Sequence, residues 1–131
     1  MPSSKPAQRL HDIIYYADRI EQYTANISYA EFSEDTMRLH AVERCLQCIS
    51  EAAVKLEDPY VQAWPEMELD KLRSLGNFMR HQYDDVATLV VWNLITDRLG
   101  PLRDAAANRL AELEDRASSG SQPDDNEMGP G

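Results

Sequence analysis

The sequence predicts an all-α fold, an antiparallel up-and-down bundle of four to five helices. Apolar residues recur at helical spacing through most of the chain, and no segment alternates with the period of a β-strand. Breaks at Asp58-Pro59 and Gly100-Pro101 divide the periodic segments into lengths typical of bundle helices. Short connections between the segments place consecutive helices antiparallel.

Length and hydropathy indicate a soluble chain with one core. The 131 residues match one domain in length. The mean hydropathy is −0.54, and no apolar run approaches the ~20 residues of a membrane-spanning helix. The first residues lack the apolar segment of a secretory signal, and two cysteines do not make a disulfide framework. We therefore expect a cytoplasmic protein without a membrane segment.

The charge balance restricts the possible partners. With 23 acidic and 13 basic residues, the formal net charge is −10. Such a chain repels a polyanion overall, so broad, nonspecific binding to nucleic acid is disfavoured. A local basic site remains compatible with this charge, and the acidic surroundings would make it selective or dependent on a partner.

Five helices are predicted along the chain, after a frayed start. They cover about residues 9–27, 34–56, 66–81, 86–99 and 102–117, with connections at 29–33 and 60–65. Ser33 or Asp35 is placed to cap the second helix, and its small residues Ser50, Ala52 and Ala53 predict the close approach of another helix. Residues 1–117 form the domain, and residues 118–131 are predicted to be a disordered acidic tail.

The stretch from Arg73 to Tyr83 gathers two arginines, a histidine, an asparagine and a tyrosine. At roughly 100° per residue, Arg73, Asn77 and Arg80 fall on one helix face, with His81 at its edge. The opposite face is apolar and consists of Leu72, Leu75, Phe78 and Met79. Guanidinium, amide and imidazole groups that point outward together suit an anion such as a phosphodiester.

The same stretch supplies the groups that RNA self-cleavage requires. A base takes the 2′-hydroxyl proton, an acid protonates the leaving 5′-oxygen, and a cation stabilises the phosphorane. A helix break near Asp84-Asp85 would turn His81 and Tyr83 toward one place, whereas an unbroken helix points them roughly 160° apart. The alternative is an amphipathic helix with a basic solvent face, and composition alone does not separate the two.

The remaining candidate motifs are better explained by packing. Cys45-Leu-Gln-Cys48 has the spacing of a metal half-site or a redox pair. The sequence supplies neither a second ligand pair for zinc nor the strand–helix alternation of a thioredoxin-like domain. His11 and His40 stand alone on separate helices, and no Glu-x-x-His pair of a di-metal bundle is present. We expect no metal site and no cofactor.

Three segments resemble a known family. Arg-Ser-Leu-Gly-Asn-Phe-Met-Arg-His-Gln-Tyr-Asp-Asp, residues 73–85, resembles the signature of the HepT-like (DUF86) toxins of the HEPN superfamily. Residues 48–56 are similar to that family's Ile-Gly-Glu-Ala-Ala-x-x-Leu segment in helix two, with Ser50 in place of glycine. Residues 92–102, which end in Leu-Gly-Pro-Leu, resemble its last core helix and Leu-Pro-x-Leu turn. The resemblance covers most of residues 9–105.

This resemblance implies a HEPN-like helical bundle that forms a homodimer, with both signatures facing a shared cleft. It implies a metal-independent endoribonuclease that cleaves RNA such as tRNA or mRNA, as the toxin of a toxin–antitoxin system. The implied partner is a minimal nucleotidyltransferase antitoxin, which neutralises the toxin by AMPylation of the motif tyrosine, here Tyr83. His81 matches the catalytic histidine, and Asn77 matches the polar residue that commonly follows the motif's arginine.

The arginine departs from the family pattern, in which it stands four to six residues before His-x-Tyr. The usual arginine position, directly before Asn77, is Gly76 here. Seven residues separate Arg73 from His81, and Arg80 adjoins the histidine. Arg73 and Arg80 lie within about 20° on the helix face, so either is placed to bind the scissile phosphate.

Two other functions stay open on the sequence. A non-catalytic HEPN module, which binds a nucleotide or the nucleotidyltransferase partner, is favoured by the displaced arginine and by the net charge of −10. The other is a structural helical adaptor without a site.

Overall fold

The architecture is helical throughout the part of the chain that is described. A computed structural model describes the backbone of residues 5–81 and 85–125 and the side chains of residues 5–78 and 87–118. The α-helices in these ranges are α1 (Pro6–Thr24), α2 (Tyr29–Glu34), α3 (Thr36–Lys55), α4 (Pro59–Ala63), α5 (Leu69–His81), α6 (Asp85–Asp97) and α7 (Leu99–Asp125), with a 3-10 turn at Pro65–Met67. None of these helices has the length and apolar character that crossing a membrane requires.

The contacts along α1 and α7 show that these two long helices pack antiparallel. Arg103 on α7 donates to Asp18 on α1 at 2.9 and 3.2 Å. Glu114, further along α7, lies 3.6 Å from His11, which precedes Asp18 on α1. Helices α1 and α7 therefore run in opposite directions. Five long helices and two short ones make up the described bundle, so the predicted all-α bundle is confirmed.

The core lies between α1, α3, α5 and α7. The buried face of α1 repeats at helical spacing and consists of Leu10, Ile13, Ala17 and Ile20. The buried face of α3 consists of Val42, Cys45, Leu46, Ile49, Ser50, Ala52 and Ala53. Each fully buried large aliphatic side chain contributes about 1.5–3 kcal/mol by leaving water. The helical spacing of apolar residues predicted for most of the chain is confirmed in these two helices.

Two short helices occupy segments predicted to be connections. The connection predicted at 29–33 is helix α2, which begins with a capping box. The Glu31 amide donates to Ser28 Oγ at 3.1 Å, and the Ser28 amide donates to Glu31 Oε1 at 2.8 Å. Most of the connection predicted at 60–65 is helix α4 and the 3-10 turn. Both segments are too short to show a helical period; the local signals were the capping box of α2 and Pro59 at the start of α4.

Asp35 caps α3, as one of the two predicted alternatives requires. Its carboxylate accepts from the Arg38 amide at 3.0 Å and from Arg38 Nε at 3.1 Å. These bonds lower the pKa of the Asp35 carboxyl. Arg38 also donates to the carbonyl of Tyr23 near the end of α1, so one arginine connects the end of α1 to the start of α3.

The last helix is longer than predicted. The sequence ends the helix near residue 117, whereas α7 continues to Asp125. Leu110 is its last buried residue in the described range, so the extension projects beyond the core. Adding residues to an existing helix needs no new nucleus, which allows a polar extension of this kind. Residues 126–131 of the predicted tail lie outside the described residues.

Arg109 ties α7 to the 3-10 turn before α5. It donates to both carboxylate oxygens of Glu66, at 2.6 and 3.0 Å, and to Glu112 on its own helix at 3.1 Å. The side-chain bonds from Arg109 lower the pKa of the Glu66 carboxyl. This pair fixes the segment that leads into α5.

Replacing Glu66 with glutamine is expected to lower the free energy of unfolding at pH 7 by about 0.5 kcal/mol, because water screens this partly exposed pair. The folded-state pKa lies below the reference value of 4.5. The contribution is therefore complete above about pH 4.5 and is lost as the pH falls through the folded-state pKa. Urea denaturation of both proteins at successively lower pH measures it. Glu112→Gln, which removes one bond within a helix, should have a smaller effect, and a pH-independent difference for Glu66→Gln would contradict the prediction.

Candidate functional site

Helix α5 turns its described apolar residues toward the core and Asn77 of the predicted polar face toward solvent. Its described apolar residues face inward: Leu75 is buried, and Leu72 and Phe78 pack against the core. Asn77 is exposed on the other side. The amphipathic division predicted for this helix is confirmed for these residues.

The predicted site residues are described to different extents. Arg80 and His81 lie in the last turn of α5, and their side chains lie outside the described residues, as does all of Tyr83. Helix α6 begins at Asp85. Asn77 therefore lies about one turn before His81 along the same helix. The backbone places the two in the C-terminal part of α5.

Arg73 is engaged with the end of α3. Its Nε donates to the carbonyl of Ala53 at 3.1 Å and its Nη2 to the carbonyl of Leu56 at 2.5 Å. Its Nη1 donates to Asp58 at 3.2 Å. The last carbonyls of a helix have no partner within the helix and carry partial negative charge, so a guanidinium satisfies them well. Three of the five N–H groups of Arg73 are used in this way.

Ser50 connects α3 to the same turn of α5. Its hydroxyl donates to the carbonyl of Arg73 at 3.2 Å and accepts from the Gly76 amide at 3.0 Å. Gly76 is buried, and Ser50 is 3% exposed. The close approach predicted from the small residues of the second helix is confirmed, and the helices are joined by hydrogen bonds as well as by apolar contact.

A groove lies over this contact, between α3 and α5. Its volume is about 280 Å³. Its walls carry both charges and amides, from Gln47, Glu51, Lys55, Arg73 and Asn77. Because Asn77 belongs to the groove and precedes His81 by one turn, the groove opens beside the candidate catalytic end of α5.

The other candidate motifs have ordinary structural roles. Cys45 is buried, Cys48 is half-buried, and both thiols are free. Burial raises the pKa of the Cys45 thiol. His11 lies at the surface beside Glu114, and His40 is exposed. Among the side chains that the structure describes, no group of three or more His, Cys, Asp or Glu residues could hold a metal ion.

Sequence reasoning missed the contacts that hold α5. It treated Arg73 as a free cation on the polar face and Ser50 only as a small residue. A signal for Ser50 was present, since it is a polar residue in the middle of an otherwise apolar stripe. The partners of Arg73 are 15–20 residues away in the sequence, so periodicity within α5 could not reveal them.

Comparison with known proteins identifies similar ribonucleases. The family model for "Ribonuclease HepT-like" matches residues 13–108. "Putative RNase MJ1216" of Methanocaldococcus jannaschii is 34% identical over 92 residues, which cover 70% of this chain and 76% of that protein. "Putative RNase MJ0125" of the same organism is 28% identical and covers 88% of this chain and 100% of its own length. "Probable ribonuclease HepT" of Thermococcus cleftensis is 26% identical, covering 72% and 86%. No solved structure matches the chain significantly.

Replacing Arg73 with lysine is expected to lower the free energy of unfolding by about 1–2 kcal/mol, because one ammonium cannot span two carbonyls and a carboxylate. Chemical denaturation measures the change. Arg44→Lys is the matched control, since Arg44 is exposed and reaches only Gln47, at 3.5 Å. If both variants unfold at the same denaturant concentration, the bonds from Arg73 to α3 do not contribute to stability.

Proposed function

Because the chain belongs to the HepT-like ribonuclease family, we propose that it is a metal-independent endoribonuclease and the toxin of a toxin–antitoxin system. The relatives named as ribonucleases support an enzyme that acts on RNA. The observation that supports the proposal for the site is the C-terminal part of α5, where exposed Asn77 and the backbone of His81 lie on the same helix. RNA as substrate accords with a cytoplasmic protein.

Each residue of the candidate site has a proposed role. His81 acts as the general acid/base, and Asn77 orients the scissile phosphate. Arg80 binds the phosphate, since its neighbour on the same face, Arg73, already donates to α3 and Asp58. Tyr83 supports the site and is the target of modification. No metal or cofactor enters this mechanism.

A homodimer with a shared cleft is part of the proposal. A monomer of net charge −10 attracts RNA poorly. Two copies of the α5 end in one cleft would double the local positive charge. Leu89 and Val90 on α6 are 44% and 41% exposed, and α6 follows the candidate site directly in the chain. Adjacent exposed apolar residues of this kind suit an interface between copies.

The proposed antitoxin is a minimal nucleotidyltransferase, which would transfer AMP from ATP to the Tyr83 phenol oxygen and release pyrophosphate. Esterification of the phenol would remove its O–H donor and place a phosphate two residues from His81. The added negative charge would then oppose the binding of an RNA phosphate at the same place.

The second candidate is a non-catalytic module that binds a nucleotide or the nucleotidyltransferase. One observation favours it: Arg73 is engaged with α3, and Gly76 stands at the usual arginine position. In that case the α3–α5 groove would hold a nucleotide without cleavage. Binding of RNA without any cleavage by the purified protein would favour this candidate.

Incubation of the protein with tRNA or mRNA in EDTA is expected to yield cleaved RNA, because no step needs a metal. His81→Ala should reduce the rate by at least about 100-fold, since proton transfer in the transition state is lost. Gel analysis of the products measures the rate. His40→Ala, which changes an exposed histidine on α3, should cleave as the wild type does. Cleavage that persists in His81→Ala would overturn the mechanism.

Co-expression with a minimal nucleotidyltransferase of the same genome is expected to add the mass of one AMP to the protein. Intact-mass spectrometry measures the addition, which should disappear in Tyr83→Phe. Tyr15→Phe is the control, because Tyr15 is 53% exposed and thus open to unspecific modification. An AMP adduct that remains in Tyr83→Phe would place the modification elsewhere.

A further inference from the structure

We propose that Ser50 and Arg73 are positioning residues, which together set where α5 presents Asn77 and His81. The role of Asn77 and His81 in RNA cleavage rests on the proposed function. The contact itself does not, since it is defined by hydrogen bonds between α3 and α5. We call this set of bonds the α3–α5 clamp, formed by Ser50 and Arg73 with their partners Ala53, Leu56 and Gly76.

The Ser50 hydroxyl both donates and accepts a hydrogen bond at the contact between α3 and α5. It is the buried polar residue of the described core. A hydroxyl has one proton to donate and two lone pairs. Here the proton points to the carbonyl of Arg73, at 3.2 Å, and a lone pair receives the Gly76 amide, at 3.0 Å. A buried hydroxyl without partners would cost free energy, so the native contact strongly favours this one alignment.

The two bonds determine the register of α5 on α3. Their partners on α5 are three residues apart and so lie on the same side of that helix. A shift of α5 by one turn, about 5.4 Å, would break both bonds, and so would a rotation about its axis. Apolar packing alone tolerates small slides more easily, because it is not directional.

The side chain of Arg73 holds the same turn of α5 by donating to the backbone at the end of α3. While its carbonyl accepts from Ser50, its guanidinium donates to the carbonyls of Ala53 and Leu56. The guanidinium is planar, so its donors lie in fixed directions. The turn of α5 at residues 73–76 is therefore held to the last two turns of α3 by both its backbone and a side chain.

The clamp lies directly before the candidate catalytic residues. Asn77 follows Gly76, and His81 is four residues further along the same helix. Any change in the position of residues 73–76 is transmitted along α5, since a helix of this length is stiff. A misplacement of about 1 Å in a catalytic group can reduce a rate about 100-fold. The clamp is thus placed to control the geometry of the site without touching the substrate.

The hydroxyl bonds of the clamp depend on the residue types at positions 50 and 76. Ser50 stands where the resembled segment has glycine, and Gly76 stands at the usual arginine position. These two departures face each other across the helix contact, at 3.0 Å between Ser50 Oγ and the Gly76 amide nitrogen. A glycine at position 50 could not make either bond.

The test uses the full-length protein and three variants: Ser50→Ala, Arg73→Lys and the control Ser74→Ala. Ser74 lies on the same turn of α5, but it is exposed and its hydroxyl donates only to Lys71 of its own helix, at 2.9 Å. The control therefore removes a hydroxyl from α5 without removing a bond to α3. Thermal unfolding first establishes that each variant is folded.

Nuclear magnetic resonance of the imidazole groups reports the geometry without any need for activity. The chain has three histidines, so His11 and His40 serve as internal references. The signals of His81 and its titration midpoint should change in Ser50→Ala and Arg73→Lys, and should stay at wild-type values in Ser74→Ala. His81 signals that superimpose on the wild type in Ser50→Ala would overturn the clamp as a positioning device.

Cleavage kinetics then separate positioning from binding. Ser50→Ala should lower kcat by about tenfold or more while KM stays within about twofold, since the clamp does not contact RNA. A rise in KM with unchanged kcat would instead place Ser50 in the binding surface and overturn the proposal. If the wild type does not cleave RNA, the proposed function fails, whereas the imidazole signals still decide whether the clamp positions His81.

Discussion

The contact between α3 and α5 is the constraint on which the candidate site depends. The stripe of small residues on α3 brings the two helices close enough for Ser50 to reach the backbone of α5. Arg73 then donates to the carbonyl of Leu56 and to that of Ala53, which also accepts from the Leu56 amide. Each of these hydrogen bonds contributes about 1 kcal/mol or slightly more to stability. Their main importance is that they are directional and so orient α5, rather than the total free energy that they add. It determines which face of α5 meets solvent.

Arginines perform the same task elsewhere in the molecule. Arg38 connects the end of α1 to the cap of α3, and Arg103 and Arg109 hold α7 to α1 and to the turn before α5. These pairs neutralise part of an acidic surface while they fix helix ends and crossings. Arginine suits this role because its planar fork reaches two acceptors at once. These arginines thus stabilise the fold, whereas we assign the basic residue at the end of α5 to RNA binding.

The chain belongs to a family of ribonucleases. The structure bears on which arginine of residues 73–80 is available to bind phosphate. With Gly76 at the usual position and Arg73 bound to α3, Arg80 is the arginine of this stretch that we assign to phosphate. Gly76 and Ser50, which both differ from the resembled pattern, belong to one contact. A change that looks like the loss of a catalytic group in the sequence is, in the structure, part of how two helices meet.

The sequence by itself determined the helical class, the stripes on α1, α3 and α5, and the stretch that carries the candidate site. Those features follow from residue spacing along one helix, which a linear pattern records. The roles of Ser50 and Arg73 were decided only by the tertiary structure, because their partners lie 15–26 residues away and belong to another helix. The short helices α2 and α4 have too few residues to show a helical period; α2 begins with a capping box, whereas α4 begins at Pro59 without a side-chain cap. Directional bonds between helices depend on how the helices pack, and packing is a property of the whole fold.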